Sequence, residues 1–433
     1  DASGKPMPES KAAHAVMYRD WGGLFELNRK ATLAYELLEQ AFAAKPSLRE
    51  QYFSSYVSNL TSVKRGDAGK TEALAVLDEI SKSTTLTEKQ SIALARFYER
   101  LSVGDKATAI REAIRKNHPK GSLVRQERRQ AVRAEADLVK LEGLIDAYLK
   151  DFPPATQEEK DETGELFFTL GNKAAEKNDW TVFKNAAKKM QPGNRASLYN
   201  NIAWELAEND RDIDLARQMA AEAVEWARNE MTAPQQSKKA FQSVKNWEAE
   251  RKNTFATYAD TYAFILDKTN DPAAAAALQA QVVEISEGES AEMNERYVNY
   301  LERAKSPELR YRLEGFIIHG QASENMKNQF KRLYTAEDKS TEGTEAYLAG
   351  LEKMARINKK KELAAKMLDQ PAPGFKLKNL AGEEVSLEKL KGKVVIVDFW
   401  ATWCGPCKAS FPGMQQAVNA YKDDPKVAFV FVD

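Results

Sequence analysis

The hydrophobic pattern of this chain changes abruptly near residue 369, and that change limits the folds open to it. Before that point, apolar residues recur at intervals of three and four, which is the period of an α-helix. One such face carries Leu138, Leu141, Ile145 and Tyr148. Alternation typical of strands is scarce before residue 374. The first 365 or so residues are therefore predicted to form a dozen or more helices joined by short loops.

Two stretches within this helical part match each other at an offset of 60 residues. The matched pairs are Ala203-Trp204 with Ala263-Phe264, Leu206 with Leu266, and Ala216 with Ala276. Each stretch has large apolar residues, then a polar turn, then small alanines, and small residues let paired helices pack closely. The pattern resembles degenerate tetratricopeptide-type hairpins, and a non-repetitive helical bundle is the alternative. We predict an N-terminal helical region over residues 1–160 and a hairpin-repeat region over residues 161–368.

Overall charge and hydropathy exclude two broad classes of protein. The 64 lysines and arginines balance the 64 aspartates and glutamates, so the net charge is zero. A chain-wide basic surface for nucleic acid is therefore excluded, and no nucleic-acid partner is predicted. No apolar run approaches the roughly 18 residues of a membrane-spanning helix, so no transmembrane segment is predicted in this sequence.

Two prolines break the helical pattern at residues 369–374, which are predicted to be a linker. Residues 375–433 then predict part of an α/β domain. A hairpin with its turn at residues 379–382 precedes a strand at 394–400, a helix to about Tyr421 and a strand at Val427–Val432. Strand, helix and strand form a right-handed βαβ unit. Both strands are almost entirely apolar, so we expect them to be buried on both faces.

The chain has two cysteines, Cys404 and Cys407, at the start of the predicted helix. A two-residue gap places both thiols on one helical turn, close enough to form a disulfide. Cys404 lies at the helix N-terminus, where free amides and the helix dipole stabilise a thiolate, so we expect it to be the nucleophile. Cys407 would then resolve the mixed disulfide. Half of a zinc site and an inert structural disulfide are the alternatives; with no second cysteine pair, no metal is predicted.

An acidic residue, Asp398, stands in the middle of the apolar strand, six residues before Cys404. A carboxylate there is costly unless it has a partner or a function, and burial is expected to raise its pKa. A satisfied polar group of the core is the alternative. Phe399 and Trp400 are predicted to belong to the core rather than to the site.

These residues also carry a resemblance to a known family. Residues 397–408 resemble the active-site segment of thioredoxin. The lead-in at residues 372–375, the Gly382 turn, Leu387 and Gly392-Lys393 are more similar to the TlpA/ResA subgroup of envelope thiol–disulfide oxidoreductases. The long helical region ahead of the domain is similar to that of larger TlpA-like proteins of Bacteroidetes-type bacteria.

The resemblance implies a reaction and a set of site residues. The reaction is dithiol–disulfide exchange with protein thiols and disulfides, through a redox-active Cys404–Cys407 disulfide and with no metal or organic cofactor. Asp398 is implied to be the buried acid that exchanges a proton with Cys407. Ser410 stands where relatives often carry a glutamate, which leaves Asp398 as the single candidate acid. The residues expected to shape the docking site are Trp403, Gly405, Pro406, Lys408 and Pro412.

Two functions follow from this sequence. The first is a thiol–disulfide oxidoreductase, acting as reductase or oxidase, whose helical region binds a protein partner. The alternative is a non-catalytic helical scaffold subunit of a cell-envelope complex, carrying an auxiliary thioredoxin-like domain. A peroxidase is a weaker third, because Thr402 and Cys404 lack the Pro-x-x-x-Thr-x-x-Cys spacing of peroxiredoxin-like sites.

The compartment and the two ends of the sequence carry further expectations. The absence of other cysteines suits an oxidising compartment, and we expect the periplasm or cell envelope. The first residue is Asp1 rather than methionine and no signal sequence follows it, which suggests processing or a missing upstream segment. The sequence ends on an apolar strand, within the thioredoxin-like domain, and we expect roughly 50–80 further residues to complete it.

Overall fold

The structure is a computed structural model that describes residues 27–235, 237–238, 241–337 and 340–432 of the chain. Residues 1–26 of the predicted N-terminal helical region lie outside this description. Two compact units are distinguished by their internal contacts, and the division falls between Lys353 and Met354. Residues 367–375, which contain the predicted linker, form neither helix nor strand. The domain limits at residues 160 and 368 remain predictions.

Helices account for most of the described chain before residue 367, as predicted. Seventeen α-helices are described there. They are α1 (Leu27–Ala44), α2 (Leu48–Val63), α3 (Asp67–Ile80), α4 (Glu88–Arg100), α5 (Gly104–Asn117), α6 (Ser122–Ala134), α7 (Leu138–Asp151), α8 (Gln157–Glu176), α9 (Trp180–Lys188), α10 (Pro192–Glu208), α11 (Ile213–Thr232), α12 (Val244–Lys268), α13 (Pro272–Ile285), α14 (Ala291–Arg303), α15 (Leu309–Ile318), α16 (Glu324–Ala336) and α17 (Thr341–Lys366). In the described ranges, none of these helices combines the length and the apolar character that crossing a membrane requires.

Several helices end in the same left-handed turn. Asn178, Asp210 and Asn270 have φ angles of 57°, 53° and 62°, a conformation that asparagine and aspartate tolerate better than most residues. After each of them, the next backbone N–H reaches back to a carbonyl in the last helical turn; that of Asp271 donates to Leu266 at 2.9 Å. The polar turns of the two matched stretches therefore have one common geometry.

The aligned aromatic residues of the two matched stretches contact each other. The rings of Trp204 in α10 and Phe264 in α12 lie 5.0 Å apart. The matched alanines in the helices that follow, Ala216 in α11 and Ala276 in α13, are both buried. Helices α10 to α13 each pack on the next, and α10 also packs on α12, so helix pairs stack along the chain. Assignment to the tetratricopeptide type remains a prediction.

The core of the helical unit consists of three consecutive clusters of buried apolar residues. They lie within residues 34–107, 132–265 and 224–351. Leu141, Ile145 and Tyr148, which the sequence placed on one face of α7, are buried in the second cluster. The helical period therefore predicted the buried side of this helix correctly.

A ladder of ion pairs joins α6 to α8 in this unit. Arg129 contacts Glu162 at 2.7 Å, and the flanking pairs are Arg125 with Glu159 at 2.8 Å and Arg133 with Glu165 at 3.0 Å. Glu159 also accepts the backbone N–H groups of Ala155 and Thr156. The Thr156 side chain accepts the N–H of Glu159, which completes a capping box at the start of α8.

These contacts make the stability of the helical unit dependent on pH. The Arg125 guanidinium, followed by the two backbone N–H groups, lowers the pKa of Glu159 to about 2. A lowered pKa stabilises the fold above the unfolded-state pKa, near 4.5, and that contribution is lost as the pH falls towards 2. We expect Glu159→Gln to lower the urea midpoint at pH 6 and to have a shrinking effect as the pH falls. The matched change of the exposed Glu158 to Gln, in the same first turn of α8, is expected to lower the midpoint less, because only a helix-dipole contribution is lost, and equal effects of both would contradict this assignment.

The second unit contains a hairpin and a two-stranded parallel sheet. Strand β1 (Lys376–Lys378) pairs antiparallel with β2 (Glu384–Ser386), and Gly382 closes the turn with a φ of 81°. Strand β3 (Val394–Phe399) pairs parallel with β4 (Val427–Val432), and α18 (Gly405–Tyr421) connects them. The predicted fold class, mainly α followed by a partial α/β thioredoxin-like domain, is confirmed.

The burial of the two parallel strands differs from the prediction. Val394 and Phe399 are 65% and 60% exposed, and every other residue of β3 and of the described β4 is exposed or half-buried. The expectation of strands buried on both faces is therefore wrong, as is the placing of Phe399 in the core. A parallel strand is buried on both faces only when helices cover both sides, and in the described residues α18 is the single α-helix that joins this sheet.

Candidate redox site

The candidate site lies where β3 ends and α18 begins. The β3 strand stops at Phe399, and the Cys404 N–H donates to the Ala401 carbonyl at 3.0 Å to close a turn. Cys404 is the N-cap of α18, with extended backbone angles, and its Sγ accepts the backbone N–H of Cys407 at 3.2 Å. Pro406 stands in the first turn, where its missing N–H leaves no carbonyl without a partner. The Cys404 sulfur therefore lies where the helix dipole favours negative charge.

The two cysteines form a disulfide across this first turn of α18. Their Cα atoms are 5.3 Å apart, within the ordinary range for bonded cysteines. Both residues are partly exposed, and Gly405, Pro406 and Lys408 beside them are exposed. Trp403, which precedes Cys404, is 85% exposed. The disulfide is therefore accessible from solvent, with a large exposed aromatic side chain beside it.

Asp398 is the penultimate residue of β3, opposite Phe431 of β4. It is half-buried, and its Oδ2 is shielded from solvent without a hydrogen-bond partner in the described structure. An unpaired buried carboxylate oxygen is unfavourable in a purely structural role. Asp398 therefore lies near the end of the strand that leads to the cysteines, and its proposed exchange of a proton with Cys407 remains a prediction.

Two contacts near the site were not predicted from the sequence. Ser410 donates its Oγ–H to the Cys407 carbonyl at 2.8 Å. Serine commonly bonds back to a carbonyl three or four residues earlier in a helix, and that tendency was the available signal. The ring of Phe411 packs edge-on against Trp400 at 5.3 Å, and this contact holds α18 against the end of β3. Trp400, which the sequence analysis assigned to the core, is half-buried, and Pro412 lies inside α18 directly after these residues.

No metal-binding cluster is found among the described residues. Nowhere in the described ranges do three or more histidine, cysteine, aspartate or glutamate side chains come together so as to surround an ion. The chemistry that the site can perform with its own atoms is the opening and closing of a sulfur–sulfur bond.

The strand, the turn and the cysteine-capped helix are features of a thioredoxin-like redox domain, and comparisons with known proteins agree. The AhpC/TSA family model matches residues 368–433. Thioredoxin-like protein YneN of Bacillus subtilis is 48% identical over 64 residues, which are 15% of this chain and 36% of that protein. The thiol-disulfide oxidoreductase ResA of Oceanobacillus iheyensis is 48% identical over 56 residues, 12% of this chain and 29% of ResA. ResA of Bacillus subtilis is 49% identical over 51 residues, 12% of this chain and 27% of ResA.

The C-terminal segment of the chain is therefore part of an AhpC/TSA-type, thioredoxin-like domain. The chain spans about a third of the length of the curated relatives that it matches. Among solved structures, a circular tandem repeat protein covers 83% of this chain and 85% of its own, at 11% identity and a TM-score of 0.16, a score too low to assign a common fold.

Proposed function

We propose that this protein is a thiol–disulfide oxidoreductase that works through Cys404 and Cys407. The observation that carries the proposal is the position of Cys404, which caps α18 and is bonded to Cys407 one turn further on. A sulfur at a helix N-terminus is released as a stabilised thiolate when the disulfide opens. Relatives named as thiol-disulfide oxidoreductases match the same segment, which supports the proposal.

The proposed reaction exchanges one disulfide for another. In the reducing direction, the Cys404 thiolate attacks a substrate disulfide, whose sulfur–sulfur bond breaks as a mixed disulfide forms. The departing substrate sulfur takes up a proton. The Cys407 thiolate then attacks Cys404, which re-forms the Cys404–Cys407 disulfide and releases the second substrate sulfur. Two electrons pass from protein to substrate, and the oxidising direction is the reverse.

The neighbouring residues have separate proposed roles. Asp398 accepts the proton of Cys407 before the second attack. This role is supported by the shielded carboxylate oxygen of Asp398, which has no hydrogen-bond partner in the described structure. Trp403 and Lys408 contact the substrate protein. Gly405, Pro406 and Pro412 fix the shape of the first turns of α18.

The helical unit is proposed to bind a protein partner or substrate of the redox site. Its stacked helix pairs offer an extended surface of the kind that tetratricopeptide-type repeats use for binding. We propose a cell-envelope location, in the periplasm, and a relationship to the larger TlpA-like proteins of Bacteroidetes-type bacteria. Both rest on the sequence resemblance and on the ResA relatives.

The test is a redox assay of the intact protein in both directions. Reduction of insulin with dithiothreitol and oxidation of a reduced dithiol peptide are measured in parallel. We expect turnover in at least one direction and its loss to the level of the buffer in Cys404→Ser. Ala409→Ser is the matched control, because it adds the same hydroxyl to an exposed position of α18 and is expected to keep full activity. Absence of turnover in both directions would overturn the proposal in favour of a non-catalytic scaffold.

A further inference from the structure

The last part of α17 has no buried side chain. Leu348 and Leu351 are buried in the helical unit, but from residue 354 to the helix end at Lys366 every residue is exposed or half-buried. Three large apolar side chains are nevertheless present there, because Met354, Ile357 and Leu363 are between 38% and 53% exposed. Met367 and Leu368, directly beyond the helix, are almost fully exposed. We call residues 354–368 the basic segment, for the charge described next.

The charge of this segment is strongly one-sided in a chain whose net charge is zero. Five basic residues stand against a single acid, Glu362. They are Arg356, Lys359, Lys360, Lys361 and Lys366. Glu362 contacts Lys359 at 2.8 Å and Lys366 at 2.6 Å. Within the described residues, Arg356, Lys360 and Lys361 form no ion pair, so the segment presents a net positive surface.

The arrangement of the apolar residues distinguishes this segment from an ordinary solvated helix. Met354, Ile357 and Ala364 lie on one helical face, at intervals of three and seven residues, whereas Leu363 lies on the opposite side of the helix. Lys361 lies on that face too, and its aliphatic stem can lie along an apolar surface while its ammonium group reaches water. Helical turns that bury few side chains are only marginally stable in water, and three consecutive lysines add repulsion. A surface that covers the apolar face and neutralises the lysines removes both costs.

We propose that the basic segment binds the surface of membranes that contain anionic phospholipids. Charge complementarity selects this occupant, because phosphate groups neutralise clustered lysines while the apolar side chains enter the boundary between headgroups and acyl chains. The helix lies along the surface and does not cross it. The proposal is independent of the redox reaction, since it uses none of the residues of that site.

Co-sedimentation of the intact protein with lipid vesicles tests the proposal. We expect binding to vesicles of equimolar phosphatidylcholine and phosphatidylglycerol, little binding to pure phosphatidylcholine, and release by high salt. The triple variant Lys359→Gln, Lys360→Gln, Lys361→Gln is expected to bind about a hundredfold more weakly. The matched control, Lys116→Gln, Lys120→Gln, Lys245→Gln, removes the same charge from exposed positions elsewhere and is expected to bind as the parent does.

A second variant separates a lipid surface from other polyanions. Met354→Gln with Ile357→Gln keeps the charge and good helix formers, and it is expected to weaken vesicle binding while leaving retention on a heparin column unchanged. Circular dichroism monitors the helical content of each variant. Equal binding to both vesicle types, equal losses in the two lysine variants, or no vesicle binding at low salt would each overturn the proposal; the last result, together with binding to an acidic polypeptide, would assign the segment to a protein partner.

Discussion

Cys407→Ser is expected to trap Cys404 in stable mixed disulfides with protein substrates and to stop turnover. The Cys407 N–H donates to the Cys404 sulfur, and the two residues are already bonded, so Cys407 is placed for attack on that sulfur. Serine occupies the same position but cannot displace a thiolate from a disulfide. The first half of the exchange then proceeds, and the second cannot.

The trapped species is measured on non-reducing gels after incubation with a disulfide-bonded substrate protein. We expect a slower-migrating band in Cys407→Ser that dithiothreitol removes, and no such band in the double variant that also carries Cys404→Ser. Adducts of the single Cys404→Ser variant, in place of those of Cys407→Ser, would reverse the roles of the two cysteines.

Phe183→Ala is expected to cost the helical unit about 3–5 kcal/mol in free energy of unfolding. Phe183 is 1% exposed, in the second buried cluster. Its ring packs edge-on against Trp180 at 5.6 Å and stacks with Tyr199 of α10 at 5.8 Å. Truncation leaves a cavity between helices α9 and α10 that close-packed neighbours fill only in part.

Urea unfolding, followed by the loss of helical circular dichroism, measures this effect. The matched control is Phe241→Ala. Phe241 is 88% exposed, so its truncation is the same chemical change but leaves no cavity. Its expected effect is within about 0.5 kcal/mol. Similar losses in both variants would show that the cost comes from phenylalanine removal in general rather than from packing at Phe183.

The helical half of the fold was predictable because its signal is local. The spacing of Leu141, Ile145 and Tyr148 follows the period of the α-helix, and these three side chains are buried in the structure. The match of Trp204 with Phe264 suggested equivalent positions, but their contact depends on how α10 and α12 stack, which no local pattern specifies. The prediction that Phe399 is buried was wrong for a related reason, since burial of a strand depends on the layers around it rather than on its own residues.

The candidate site likewise combines features that the sequence predicted with contacts that it did not. The placement of Cys404 at the start of α18 followed from a strand pattern, a two-residue gap and a proline in the first turn, all adjacent in sequence. The packing of Phe411 on Trp400 joins a helix to a strand, and the spacing of neither residue indicates the other. Ser410 was singled out for the glutamate that it replaces, whereas the structure gives its hydroxyl a contact of its own, with the Cys407 carbonyl.

The disulfide at the start of α18 closes a very short ring, and this limits its contribution to the stability of the fold. Cysteines three positions apart enclose so little chain that closing the ring restricts the unfolded polypeptide only slightly, worth about 2 kcal/mol in the chain-entropy view. That contribution is smaller than the loss in free energy of unfolding expected from Phe183→Ala. Opening this disulfide is therefore expected to leave the surrounding fold intact.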